Sequence, residues 1–598
     1  MKRIFSNPGM LTLPKALLTA LLSMPIAAMA VSDAPALPIV PNVHAPLTLT
    51  WFVNFNAKAA VSMNSYAEQT AYQVLAERTG IRVRFDHPPL GAEKERFNLL
   101  AVSGKYPDVI EADWFGYPGG SEKALRDGVI IPLNDLIRRH APNFQALLDA
   151  NPEVFRQVST ADGRIYAFPM LRLDPEVRNV WGPQIRADWL AKLGLAAPES
   201  IDDWYRVLKA FRTRDPNGNG KVDEIPFSVL TINGDRAVPG LPAPMWVFLG
   251  GFGLAPEFFR KDGQVRYSPA EPAYREFLAT MRRWYAEGLI DPDYVSQTER
   301  QFDARMTNNL VGAYAGFNGG GLARFTSMNR QRFPGFRLVA VPYPSGPGSG
   351  GRHYLTWPEA GQLYSGLGAA VSSQNRHVVE TVRYLDYGYS KEGGRVLSYG
   401  REGLSYTMVD GRPRYTDRVM RHPKLSVAEA IYVHARVQSA PLVQDANYLQ
   451  QFYTMPEQRE AVAIWAGASP DLLLPALEVD PADSRKFNAI MSDLKLYIAE
   501  MTTRFITGRE PMENFDLYIK RLEQAGVRRA TGYMQKAYDR YQSKSPRACP
   551  RPRQANPIPR NPDEDDMPRH FHHVPTHRAM HHIRSTRNVN VNAAMPVR

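Results

Sequence analysis

From Pro46 the chain alternates strand and helix patterns: LTLTWFVNFN is extended, SYAEQTAYQVLAERTG helical, IRVRF extended, KERFNLLAVSG helical and YPDVIEAD extended. The extended runs are short, apolar and rich in β-branched or aromatic residues, whereas the intervening runs repeat apolar residues at helical spacing. A helix between two strands returns the chain to its starting edge, so neighbouring strands come to lie parallel and the sheet is covered by helices. The expected class is α/β with a parallel, helix-covered sheet.

With 598 residues the chain exceeds the size of a single hydrophobic core, and two or more lobes are expected. The start, MKRIFSNPGMLTLPKALLTALLSMPIAAMA, has Lys2 and Arg3, an apolar stretch around Ala16 to Ile26 and an A-x-A-like end at Ala28-Met29-Ala30. It reads as a secretory signal peptide over 1–30, followed by a linker over 31–45. No other apolar run approaches the roughly 18 residues a bilayer requires, so the body is not membrane-inserted. Cys549 is the single cysteine, which rules out an internal disulfide, and no cysteine follows the leader to carry a lipid. A large, disulfide-free, unanchored export points to a periplasm.

The formal charge of +12 is concentrated at the termini. Removing the leader's three cations and the tail's net six leaves about three on the body, which takes away the basis for a nucleic-acid partner. The segment 543–598 is Pro-, Arg- and His-rich without aliphatic periodicity and is expected to be disordered. His570, His572, His573, His577, His581 and His582 could hold Zn²⁺ or Ni²⁺ loosely, or the arginines could touch anionic polymers; the competing reading is a solvated appendage with no dedicated role.

The middle of the chain is helical and strongly capped. One helix ends at Gly194, and the next starts at Ser200 with Asp203 in the capping-box position. That helix runs into DPNGNGKVDEIP, Asp215 to Pro226. Asp215, Asn217 and Asn219 at alternate positions, then Gly220, open a calcium loop of the EF-hand kind. Pro226 stands where the closing glutamate belongs, and Asp223 and Glu224 replace it. With the carbonyl of Lys221, these residues supply enough oxygens for Ca²⁺. The missing exit helix argues for a structural site. The competing reading is a solvated Asn-Gly turn.

YPDVI, ADGRIYAFP, IRADWLAKLGLAAPESIDDWYRVLKAF, DPNGNGKVDEIPFS, YLDYGYSKEGGRVLSYGREGLSY and RFITGREPMENFDLYIKRLEQAG occur in that order. In them the body, about 46–542, resembles the extracellular family 1-type solute-binding proteins of bacterial ABC importers, and most of all the calcium-containing alginate-oligosaccharide-binding and lipoprotein-related subgroup. The resemblance implies a two-lobe α/β periplasmic-binding-protein fold, type II-like, with hinge strands and a central ligand cleft. The lobes would interleave, one taking about 46–168 plus 310–385 and the other about 169–309 plus 386–542. It also implies a monomer that binds an oligosaccharide, possibly uronate-containing, by lobe closure and delivers it to the transmembrane subunits of an ABC permease.

A sugar cleft uses aromatic faces and a few convergent polar groups. Trp189, Trp204 and Trp284 fall in helical patterns that suit core packing. Trp51, Trp114, Trp181, Trp246 and Trp357 lie instead at strand ends or in loops, beside the candidates Asn54, Asn56 and Asp113. Tyr399, Arg401 and Tyr406 form a further loop candidate, and Arg178 or Arg401 could pair with a uronate carboxylate. The runner-up is the same fold holding a peptide. An enzyme comes third: Asp202/Asp203, Glu111/Asp113 and Asp291/Asp293 are carboxylate pairs of a kind that usually cap helices or fill loops, and no G-x-S-x-G or H-E-x-x-H occurs.

Overall fold

A computed structural model describes residues 47–229 and 241–544. The leader, the linker and the tail beyond Lys544 lie outside the described residues. The described residues build two large sheets, each with its own core, and two separate two-stranded hairpins. In the first, the strand order is Leu442–Val443, Phe168–Leu171, Tyr364–Val371, Val109–Asp113, Leu47–Val53, Ile81–Asp86. Leu47–Val53 pairs in parallel with both Ile81–Asp86 and Val109–Asp113, as the βαβ pattern requires. Tyr364–Val371 enters antiparallel between Val109–Asp113 and Phe168–Leu171, so the sheet is mixed rather than wholly parallel.

The second sheet has the order Leu338–Ala340, Trp181–Arg186, Val311–Phe317, Ile225–Phe227. Here Trp181–Arg186 runs antiparallel to both neighbours, and Ile225–Phe227 parallel to Val311–Phe317. Gly182 permits the close packing, because a Cβ there would lie 2.5 Å from the Trp465 ring. The capping signals hold in detail. Helix Ile201–Thr213 starts from a Ser200–Asp203 capping box, and Gly194 ends helix Ala187–Leu193 in the left-handed region.

The cores correct the expected lobe boundaries. Residues about 181–360 and from Ala461 onward form one core, and those about 49–177 and 364–453 form the other. The stretch 310–361 therefore belongs to the second lobe, because Val311–Phe317 fills the gap between two strands of the second sheet. The stretch 386–453 belongs to the first, where Tyr387, Tyr399, Tyr415 and Tyr448 are buried. Three short connections join the lobes, near 172–180, 361–363 and 454–456, and Val462 of helix Pro456–Ala466 reaches back to the first core. Ser543 closes the last helix, Val527–Ser543, and is not the start of the tail. No helix among the described residues is long and apolar enough to cross a membrane.

Candidate functional site

Strand direction decides which surfaces face each other. In the first sheet Val53, Asp86, Asp113 and Leu171 are the carboxyl ends of strands running the same way, so they share one edge. The connections leave from that edge. In the second lobe Phe227, Phe317 and Ala340 end, and Trp181 begins, at the edge the connections enter. The two edges are thus opposed, and the space beyond carboxyl strand ends is where open α/β sheets place ligands.

The seam contains real volume. A cavity of about 570 Å³ has Phe115 and Tyr117 of the first lobe on one side and Phe258, Phe487, Asn488 and Lys495 of the second on the other. A second, of about 500 Å³, adjoins the connections and is lined in part by Arg156, Arg178, Arg260 and Tyr541. Phe317, 41 % exposed, projects from the edge of the second sheet.

Beneath that edge lies a tryptophan stack. Trp181 stacks on Trp357 with centroids 4.8 Å apart, and Trp246 follows at 6.0 Å from Trp357. Phe317 stands edge-on to Trp357 at 5.5 Å. Trp181 and Trp246 are 1 % and 2 % exposed and support the edge rather than line it, whereas Trp357 is 7 % exposed and lies directly under Phe317.

The first-lobe tryptophans are core residues, contrary to expectation. Trp51 donates to Glu111 Oε2 at 3.2 Å, and Trp114 to the Gly368 carbonyl at 2.9 Å. The strand pleat turns Trp51 inward, and Trp114 begins a short turn that folds back over the sheet. Asn54 is exposed at the carboxyl end of its strand. Asn56 caps helix Ala57–Ala60 and donates to the Tyr432 hydroxyl at 3.1 Å, and Asp113 caps the turn that presents Phe115.

Tyr399, Arg401 and Tyr406 do not reach the seam as a group. Tyr399 is buried and donates to Asp445 at 2.6 Å, and Tyr406 packs against it. Arg401 pairs with Glu77 at 2.6 Å, near the carboxyl end of helix Thr70–Thr79, beside the edge where strand Ile81–Asp86 begins. Sequence reasoning missed Phe115, Phe258, Phe317 and Phe487. The available signal was an aromatic at or just past a strand end, which Phe317 and Phe115 carry, whereas Phe258 opens a hairpin and Phe487 lies within helix Pro481–Ile506.

The carboxylate pairs have structural partners. Glu111 is fully buried against Arg436 at 2.9 Å, Asp203 caps its helix, and Asp291 is buried against Arg305 at 2.6 Å.

The loop after Thr213 is tightly wound. The Asp215 carboxylate accepts from the Gly218, Asn219 and Gly220 amides at 2.8, 3.1 and 3.0 Å. Partial burial raises its pKa, but these amides outweigh that and hold the carboxyl below its ordinary range. Asp215 and Gly220 take positive φ of 43° and 77°, which winds the loop tightly. Asn217 and Asn219 both meet Asp223 through their amides. Glu224 is 2 % exposed and its Oε2 has no hydrogen-bond partner. Burial, with the charges of Asp215 and Asp223 adding to it, pushes the Glu224 carboxyl up. Among the described residues no group of three His, Cys, Asp or Glu is gathered to hold a metal, so any site here depends on the asparagines and a carbonyl. Lys192 of helix Ala187–Leu193 ties the loop to that helix through the Asp215 and Pro216 carbonyls at 3.2 and 3.0 Å.

No family model matches the chain. Over 519 residues it is 26 % identical to the fructooligosaccharide ABC transporter substrate-binding protein FusA of Streptococcus pneumoniae, an alignment covering 81 % of this chain and 90 % of that one. Over 236 residues it is 24 % identical to the polygalacturonan/rhamnogalacturonan-binding protein YtcQ of Bacillus subtilis, covering 38 % and 42 % of the two chains. The chain is a homologue of ABC-transporter substrate-binding proteins. Among solved structures, the alginate-binding protein AlgQ2 without calcium ion superposes with a TM-score of 0.62 at 24 % identity, over 83 % of this chain and 99 % of that one. The complex of FusA with kestose gives 0.63 at 24 % identity over the same shares. These likenesses establish a two-lobe solute-binding fold.

Proposed function

We propose that this chain captures an oligosaccharide between its two lobes and delivers it to the membrane subunits of an ABC importer. The observation that carries the reading is the pair of opposed strand edges, joined by three short connections, with the half-buried Phe115 on one side and Phe258 and Phe487 on the other side of a 570 Å³ cavity. Aromatic faces bind the apolar faces of pyranose rings, and groups such as Asn488 and Lys495 can meet hydroxyls. A ligand touching both edges favours the closed arrangement by its differential affinity for it. The relatives, among them a fructooligosaccharide transporter's binding protein, support a carbohydrate over a peptide. The chain acts in the periplasm after removal of its leader.

Ca²⁺ belongs to the same proposal as a structural staple, held by Asp215, Asn217, Asn219, Asp223, Glu224 and the Lys221 carbonyl. The unbonded, buried Glu224 oxygen supports it, since such an atom is costly without a partner. Its role is to fix the loop against helices Ala187–Leu193 and Ile201–Thr213, away from the seam.

Tryptophan fluorescence titrated with oligosaccharides tests the function, because Trp357 lies under Phe317 at the seam edge. Saturable change is expected. Silence across neutral and acidic oligosaccharides from folded protein would overturn the reading.

A further inference from the structure

The 500 Å³ cavity beside the connections has an uneven charge balance. Arg156 comes from helix Pro152–Val158 of the first lobe, Arg178 from the first connection and Arg260 from strand Phe258–Lys261 of the second lobe. Glu153 is the single acid among the described residues lining it. Its carboxylate is already held by Arg156 and Gln157, both at 2.9 Å, and by the Tyr541 hydroxyl.

Arg178 and Arg260 have no carboxylate partner among the described residues. Arg178 reaches only the Ala360 carbonyl, at 3.5 Å, and its Nε is buried without a hydrogen bond. Arg260 donates to the Asp471 carbonyl at 3.0 Å and to the Tyr538 hydroxyl at 3.5 Å, both neutral. Arg172, next along the connection, has its own acid in Glu359 at 3.4 Å. Burial, and then the Arg172 charge, pull the Arg178 guanidinium down from its ordinary value against an opposing pull from Asp174, with which it forms no ion pair.

We infer that this cavity receives an oxyanion, the carboxylate of an acidic oligosaccharide, clamped by Arg178 and Arg260. A guanidinium presents five donors in a planar fork that matches a carboxylate bidentately. Because Arg178 sits on a connection and Arg260 on the second lobe, one anion held by both ties ligand recognition to the relative position of the lobes. The inference rests on the oligosaccharide-binding reading and adds the ligand's charge.

The test is calorimetric titration of wild type, R178Q, R260Q and the double variant, after thermal melts show that each is folded. The probes are trigalacturonate, its fully methyl-esterified form and sodium sulfate. Expected is tighter binding of trigalacturonate than of the ester by wild type, falling about tenfold or more in the double variant, with the ester unaffected. Sulfate heat in wild type that the double variant lacks, without saccharide binding, supports the oxyanion site, assigns it to a free anion and removes the carbohydrate reading. Equal binding of acid and ester by wild type and double variant leaves the carbohydrate function standing and overturns the inference. Identical behaviour of both proteins toward every probe also overturns it.

Discussion

Arg436→Met isolates the most expensive electrostatic contact in the first lobe. Arg436 Nη2 donates to Glu111 Oε1 at 2.9 Å, with side-chain exposures of 3 % and 0 %. Its Nη1 donates to the Tyr72 hydroxyl at 2.8 Å, and its guanidinium lies 4.1 Å from the Tyr66 ring centroid. Glu111 also accepts from the Ala440 amide at 2.9 Å and from Trp51 at 3.2 Å. Burial pushes the Glu111 carboxyl up, and Arg436, then these hydrogen bonds, oppose that push. Methionine preserves much of the volume but leaves the carboxylate buried without its cation, a loss of about 3–5 kcal/mol. For a lobe of this size each kcal/mol moves Tm by roughly 2–4 °C, so a fall of about 10 °C is expected by calorimetry or circular dichroism. The E111L/R436M pair removes both charges and should recover part of the loss, since buried pairs contribute little net stability over apolar replacements. A loss below about 1 kcal/mol in R436M, or a double variant worse than the single, would refute the reasoning.

Acid should destabilise the same lobe through His434, whose Nδ1 lies 2.8 Å from Thr70 Oγ1. Burial first, then Arg418 and His422, pull its pKa from 6.5 to about 4, so the unfolded chain takes up the proton first. Stability is complete above pH 6.5 and falls as pH drops toward 4, by about 2 kcal/mol between pH 7 and 5. Urea melts of H434Q should lack this component, and an unchanged pH slope would contradict it. Chelation should lower the Tm of wild type but not of D215N, and free Ca²⁺ at a hundred times its dissociation constant should restore about 2.7 kcal/mol. A chelation effect on affinity with no effect on Tm would overturn the staple. Phe317→Ala, at an exposed edge position, should weaken oligosaccharide binding about fivefold while leaving Tm unchanged, and unaltered affinity would remove Phe317 from the site.

Local features were legible because they depend on neighbours in sequence. The Ser200–Asp203 box, the Gly194 stop and the parallel pairing of the first three strands follow from spacing alone. Lobe membership was not legible, because Tyr364–Val371 inserts between strands far from it in sequence and no local signal marks the crossing. The tryptophans misled for a related reason. A position at a strand end does not reveal which way the pleat points, and Trp51 and Trp114 turned inward to hydrogen-bond partners 60 and 254 residues away. Phenylalanines line the larger cavity instead, and Arg260, which lines the smaller one with Arg178, sits in a hairpin that no sequence signal singles out.

The central claim is capture of an intact oligosaccharide between the lobes. Calorimetric titration of residues 31–598 against a panel of neutral and acidic oligosaccharides, with the ligand recovered and analysed afterwards, addresses it most directly. The account predicts saturable one-to-one binding to at least one oligosaccharide and recovery of that ligand unchanged. Absence of binding across the panel, or recovery of cleaved sugar, would contradict it.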